Sequence, residues 1–247
     1  VDQTRRQLLT GITVVGAGAL LVGCRNPGNS GGATNKENKQ SEQADEAAAE
    51  ISAAEDLMRE HGILRRVLVV YRESAAKLRQ DPNSVPLDAL EKAAQLFRAF
   101  GEDYHEKKLE EAFVFPGVKK RPSATSVYVD VLTAQHVRGR EITDYLLAVT
   151  AADKIPATKT EPFIGALESF ARMYEHHAAV EDTIIFPAWK EAIGSQELDE
   201  ASAKFEELEE EMFGEDGFDA ALRRIAEIEE SLGLANLGMF TAPAPAR

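Results

Sequence analysis

The amino-acid sequence predicts an all-α protein: an up-down-up-down four-helix bundle over residues 51–193, with two short additional C-terminal helices over 194–235. Three observations predict it. Apolar residues recur at alternating spacings of four and three along four long segments, the stripe that keeps one helix face turned inward. Proline and glycine cluster at the junctions between those segments. No part of the 247-residue chain shows the alternating pattern of a half-buried strand. The connections are about 5–12 residues long, short enough for successive helices to run antiparallel.

The N-terminal part reads differently. In "TRRQLLTGITVVGAGALLVGC" an arginine pair, Arg5 and Arg6, precedes an apolar stretch at 11–23. That stretch is too short and too glycine-rich to span a membrane, so residues 1–23 read as a signal peptide. Its "GAGALL" mimics a dinucleotide loop, but no strand pattern precedes it. "TRRQLL" resembles a twin-arginine export signal. "LVGC" resembles a bacterial lipobox, which implies cleavage before Cys24 and a lipid on its sulfur. Cys24 is the only cysteine of the sequence, so no disulfide forms within the chain. Residues 25–50 are polar and rich in Gly, Asn, Ser and Gln, and read with Cys24 as a flexible tether. The expected product is an exported, membrane-anchored lipoprotein facing the periplasm or cell exterior. Residues 236–247 read as a flexible tail.

The formal net charge of −14 excludes a nucleic-acid partner, since phosphate binding needs a basic face. It also argues against docking on anionic lipid through charge. A hydrophobic content of 44% is enough for a sizeable core.

Helix one is expected over 51–79, with the seam Leu57, His61, Leu64, Leu68, Tyr71, Ala75 and Leu78. Helix two is expected over 87–113, with Leu90, Ala94, Phe97 and Gly101 leading into "YHEKKLEEAFVFP" and ending at its Phe-Pro. Helix three, over 126–151, carries Val129, Leu132, His136, Ile142 and Leu146, and the Ser/Thr residues before it suit an N-cap. Helix four, over 162–193, has the seam Phe163, Leu167, Phe170, Tyr174, His177, Glu181 and Ile184. Each would be roughly 40 Å long at about 1.5 Å per residue. Shorter patterns follow at 195–213 and 218–232.

The placement of the five histidines carries the chemistry. Each long helix holds at least one, and His61, His136 and His177 sit on apolar seams. Burying unpartnered imidazoles costs on the order of 1–3 kcal/mol each. A metal resolves that cost, because neutral imidazole is a common ligand and carboxylates bridge cations. His177 and Glu181 are four apart and stack on one face. Asp182 points elsewhere and is expected in solvent. In helix two, Glu106 and Glu110 are the carboxylates nearest His105. Seven side chains, His61, His105, Glu106, Glu110, His136, His177 and Glu181, are too many for one tetrahedral zinc and suit two metals. The set has nitrogen and oxygen donors and no thiolate, which fits iron, manganese or zinc. Tyr104 and Tyr174 read as core aromatics or as hydrogen-bonding partners of the site. Arg140 reads as the partner of a carboxylate or a surface charge, and Trp189 as packing at the end of helix four.

Together "EHGILRR", "YHEKKLEEAFVFP", "QHVRGRE" and "HHAAVEDTIIFP" resemble the hemerythrin-like (HHE) family, across residues 52–192. The repeated phrase, with its Phe-Pro pairs seventy-one residues apart, then marks the second and fourth helices of a pseudo-symmetric bundle. The resemblance implies a carboxylate-bridged non-haem di-iron centre, with two Fe ions as cofactor. Its ligands would be His61, His105, Glu110, His136, His177 and Glu181. It also implies binding or sensing of oxygen or another small diatomic ligand such as nitric oxide. The alternative is a di-iron enzyme acting on oxygen, peroxide or ferrous iron, or an iron store. The family places the helix-two Glu one turn after its His, whereas His105 and Glu110 are five apart. Either the helix has a π-type bulge there or Glu106 ligates instead. His176 is expected in solvent or in a supporting role. The anchor makes the membrane a partner, and the sequence names no protein partner.

Overall fold

A computed structural model describes residues 51–120, 124–214 and 217–245. The expected signal peptide, Cys24 and tether lie outside these residues. Among the described residues there are helices and loops and no strand, and no helix is long and apolar enough to cross a membrane.

Helix α1 (Ala53–Gln80) starts at a capping box: Glu55 N–H donates to Ser52 Oγ and Ser52 N–H donates to the Glu55 carboxylate. Glu55 and Asp56 in its first turn and Lys77 and Arg79 in its last match the helix dipole. Helix α2 (Leu87–Leu96) continues into the π-helix π1 (Phe97–Val114) and then α3 (Phe115–Lys119). The backbone stays right-handed through both joints, with φ −62° at Phe97 and −63° at Phe115. These three elements make one rod. Helix α4 (Ser126–Thr150) is the third rod. The fourth is α5 (Ala157–Val180), the π-turn π2 (Glu181–Ile185) and the first part of α6 (Phe186–Phe213), which breaks at Gly194. Helix α7 (Gly217–Ser231) and a 3₁₀ turn (Leu237–Phe240) follow.

Each rod packs on two others, α1 on α5 and π1, and α4 on π1 and α5. The result is the four-helix bundle the seams predict. The part of α6 beyond Gly194 and α7 pack onto the bundle, where Arg66 Nε donates to Glu229 Oε1 at 2.8 Å and Lys77 Nζ to the Leu232 carbonyl at 2.8 Å. Every residue of the expected α1 seam is buried. An aromatic layer of Tyr71, Phe97, Phe170 and Tyr174 spans three rods, its ring centroids 4.6–5.5 Å apart.

Several expectations need correction. The second helix does not end at its Phe-Pro: α3 runs on through Pro116, as α6 does through Pro187. A proline ring inside an α-helix clashes with the carbonyl four residues back. Here Phe115 N–H bonds Glu110 O and Phe186 N–H bonds Glu181 O, five residues back. The extra residue in that turn moves the obstructing carbonyl aside. The fourth rod begins at Ala157, not near 162. Its first turns tolerate Pro162 because Pro162 is exposed, and so is Thr158, whose carbonyl the proline cannot bond. Thr125 occupies the N-cap of α4 without a side-chain cap bond. The seam of the fourth rod passes through Ile185 rather than Ile184, because π2 shifts its phase by one residue.

Gly194 has φ 78° and ψ 177°, a region that only glycine occupies readily, with open space around its Cα. Gly194→Ala should therefore cost about 1–3 kcal/mol from backbone strain alone. Urea unfolding should show a lower midpoint, with the metal content of the folded protein unchanged.

Candidate metal centre

The four rods bring six of the seven candidate side chains to one point, and none of the six is more than 3% exposed. His61 from α1 and His105 from π1 face each other with Nε2 atoms 3.0 Å apart. His136 from α4 and His177 from α5 do the same at 3.1 Å. Glu110 stands between the two pairs. Its Oε1 is 3.1 Å from His105 Nε2, and its Oε2 is 3.3 Å from His136 Nε2. Glu181 also spans them, its Oε2 lying 3.1 Å from His177 Nε2 and 3.6 Å from His61 Nε2.

The wide turns of π1 decide which glutamate enters. A turn closed at i+5 stacks residues five apart, as an α-turn stacks residues four apart. His105 and Glu110 therefore share a face. The structure does not bring Glu106 to the Nε2 atoms. Its Oε1 accepts the Tyr174 hydroxyl at 2.6 Å, and its Oε2 lies 3.2 Å from Arg140 and 4.0 Å from His136 Nδ1. The close group of Glu106, Glu111 and the outer side of His136 already has its cation, since Arg140 also donates to Glu111 at 2.7 Å. His176 is exposed.

All four inner nitrogens are Nε2, because every Nδ1 is held from outside. Glu60 on α1 holds His105 at 2.6 Å, and Glu111 on π1 holds His136 at 2.9 Å. Gln135 on α4 holds His177 at 2.9 Å, and Asp182 on π2 holds His61 at 2.7 Å. Each rod thus orients the imidazole of the next, and the fourth closes the ring on the first. A carboxylate or amide on the outer nitrogen fixes the ring and makes the inner nitrogen a better metal donor. Asp182 was expected in solvent; it is partly buried between His61 and Arg65. Glu60, Glu111 and Gln135 are the supports that the spacing argument missed. A signal was available: each support is the chain neighbour of a ligand candidate, as in Glu60-His61 and Gln135-His136. Adjacent helical residues point about 100° apart, so one enters the site while the other meets the next rod.

Phe115 stacks on His136 at 5.4 Å and Phe186 on His61 at 5.3 Å, so the Phe of each Phe-Pro pair walls the centre. Trp189 is buried and stacks on Phe205 at 6.0 Å, with its ring against Gly117 where a Cβ would not fit. Beside the imidazoles lies a cavity of about 10 Å³, lined by His61, His105 and His177, by Leu64, Leu68, Phe97 and Ala178, and by Arg65, Glu106 and Tyr174. That is room for about one water-sized molecule.

Burial is the largest influence on each imidazole and opposes its charge. It takes His61 down to about 4 despite Asp182, and His177, beside His136, down to about 3. Against the same burial, Glu106, Glu110 and Glu111 raise His136 to about 10. Glu110 and Glu60 raise His105 well above its ordinary value. These shifts favour the charged form of His105 and His136 and the neutral form of His61 and His177, one positive charge for each imidazole pair. Burial first, and then the charge of Glu110, push Glu181 well above the carboxylate range. Glu110 is buried too, but His105 and His136 hold it well below that range.

The donor set fits a pair of cations. None of the four carboxylate oxygens of Glu110 and Glu181 completes a hydrogen bond, although all are buried. Each such oxygen costs about 1–3 kcal/mol unless something positive meets it. Four imidazole nitrogens and two shared carboxylates satisfy two cations at once.

Comparison with known proteins agrees with this geometry. Residues 52–189 match the family model described as the hemerythrin HHE cation binding domain. Uncharacterized proteins of Mycobacterium tuberculosis and Mycobacterium bovis are 41% identical to the chain over 197 residues, covering 79% of it and 76% of each relative. No solved structure gives a significant match.

Two outcomes are expected. Metal uptake should displace the protons held by His105, His136 and Glu181, so ferrous iron added anaerobically should acidify a weakly buffered solution, and affinity should fall steadily as the pH is lowered below about 10, where His136 takes up its proton. Asp182→Ala, which removes a support and no inner donor, should weaken metal binding by about 10–100-fold, measured by competition with a chelator.

Proposed function

The chain belongs to the hemerythrin HHE cation-binding domain family, and we propose that its centre holds two iron ions and binds or senses oxygen or another small diatomic ligand such as nitric oxide. His61 and His105 would hold one ion and His136 and His177 the other, with Glu110 and Glu181 shared. When bound, iron supplies the reversible electron exchange with oxygen that no side chain can supply. The pairing of four imidazoles around two shared, unsatisfied carboxylates supports this reading more than any other feature.

The remaining residues exclude and orient. Leu64, Leu68, Phe97 and Ala178 give the cavity beside the imidazoles an apolar part, and its volume of about 10 Å³ limits an incoming ligand to a small molecule. The Nδ1 supports hold the imidazoles in one tautomer, so the inner donors need no rearrangement as a ligand enters or leaves.

A second reading is a di-iron enzyme that reduces oxygen or peroxide or oxidises ferrous iron. One observation favours it: the Tyr174 hydroxyl and Glu106, hydrogen-bonded at 2.6 Å, place a polar pair in the lining of the cavity. Such a pair can hand a proton to a bound ligand. A Cβ at Gly139 would overlap the Tyr174 hydroxyl, so Gly139→Ala displaces that pair without touching an inner donor.

The proposal extends to location: a protein exported by the twin-arginine route and anchored through lipid on Cys24. The Arg5-Arg6 pair, the apolar run at 11–23 and the "LVGC" sequence support it.

The fragment from Ala47 onward, loaded anaerobically, should bind two irons per chain. A visible band should form in air and vanish under argon; a band that forms once and persists, with peroxide turnover lowered by Gly139→Ala at constant iron content, supports the enzyme. Glu110→Ala should lose iron, whereas Glu106→Gln should retain it. In a signal fusion, Arg5→Lys with Arg6→Lys should abolish export, and unchanged export would contradict the twin-arginine route.

A further inference from the structure

A second group of buried acids lies where α1 meets the part of α6 beyond Gly194. Asp56 and Glu60 are four residues apart on α1 and share one face. Glu209 reaches them from α6. One oxygen from each lies within 4.8 Å of the other two, and the residues are 6%, 1% and 5% exposed. Three carboxylates gathered in a low-dielectric joint repel one another and have given up their water.

Two of them have defined neighbours. Glu209 Oε1 accepts the Phe218 N–H at 2.6 Å at the start of α7, and Arg59 approaches Asp56 at 3.4 Å. That guanidinium is also drawn over the Phe218 ring, at 4.5 Å from its centroid. Glu60 supplies the independent sign of a ligand. Its Oε2 accepts from His105 Nδ1, but its Oε1 is fully buried and has no hydrogen-bond partner. One Glu60 oxygen lies within 4.8 Å of an oxygen of each of the other two acids, and Oε1 is the one that no hydrogen bond occupies.

We infer that Asp56, Glu60 and Glu209 form a second cation site, distinct from the histidine centre, for a hard divalent ion of the calcium or manganese class. All three donors are carboxylates, the preference of such ions, and no imidazole is present to favour iron or zinc. Ligands on opposite sides of a calcium ion lie about 4.6–5.2 Å apart, twice the metal–oxygen distance, so a 4.8 Å group spans one ion. The ion ties α6 to α1. It also shares Glu60 with His105, which links the joint to the histidine centre. The inference stands whether that centre holds iron or another metal.

The test is calorimetric titration of the iron-loaded protein with calcium and, separately, with manganese(II). The expected result is one calcium or manganese ion per chain beyond the iron. Asp56→Asn and Glu209→Gln should each weaken that binding at least tenfold and leave the iron content, the sign of an intact bundle, unchanged. Should Glu209→Gln fail to fold for want of its bond to Phe218, Asp56→Asn alone decides. In the unaltered protein the ion should also raise the melting temperature. Absence of stoichiometric binding and of that rise, or binding of equal strength in a folded variant, overturns the site.

Discussion

The structure depends on a closed ring of four hydrogen bonds to histidine Nδ1 atoms. Glu60 holds His105, Glu111 holds His136, Gln135 holds His177 and Asp182 holds His61. Because each bond crosses from one rod to the next, the ring exists only if all four rods are neighbours in cyclic order. An up-down-up-down bundle with short connections gives that order. Because each bond occupies Nδ1, every Nε2 is turned inward, and the four converge on the oxygens of Glu110 and Glu181. The fold and the chemistry are thus set by the same contacts.

The wide turns serve the same geometry. In π1 they stack Glu110 over His105 although the two are five residues apart. In π2 the wide turn follows Glu181 and rotates Phe186 onto His61. In both rods the turn closes with a Phe N–H bonded five residues back, just before a proline. The repeated sequence therefore encodes a ligand, a wide turn, an aromatic wall and a proline that the wide turn accommodates.

Much of this was legible in the sequence. The seams of α1 and α5 are governed by burial, which imposes a regular 3.6-residue period, and residues from Leu57 to Leu78 and from Phe163 to Glu181 fall where that period puts them. Regular periodicity fails where the helix is irregular. It selected Ile184 over Ile185, ended the second rod at Phe-Pro and left Glu106 and Glu110 equivalent. It also set Asp182 in solvent, because a single-helix projection contains no second helix. Supports such as Glu111 and Gln135 look like surface residues on their own rods and become partly buried partners only when the neighbouring rod arrives. The acids at 56, 60 and 209 were hidden for the same reason, since Glu209 comes from a segment that the Gly194 break folds back.

The central claim is that one ring of supports builds one centre for two metals. Crystals of the iron-loaded protein, measured on both sides of the iron absorption edge, test it most directly. The account predicts two anomalous peaks, one beside the Nε2 atoms of His61 and His105 and one beside those of His136 and His177, with Glu110 and Glu181 reaching both. A single peak, or iron bound through Glu106 in place of Glu110, would contradict it.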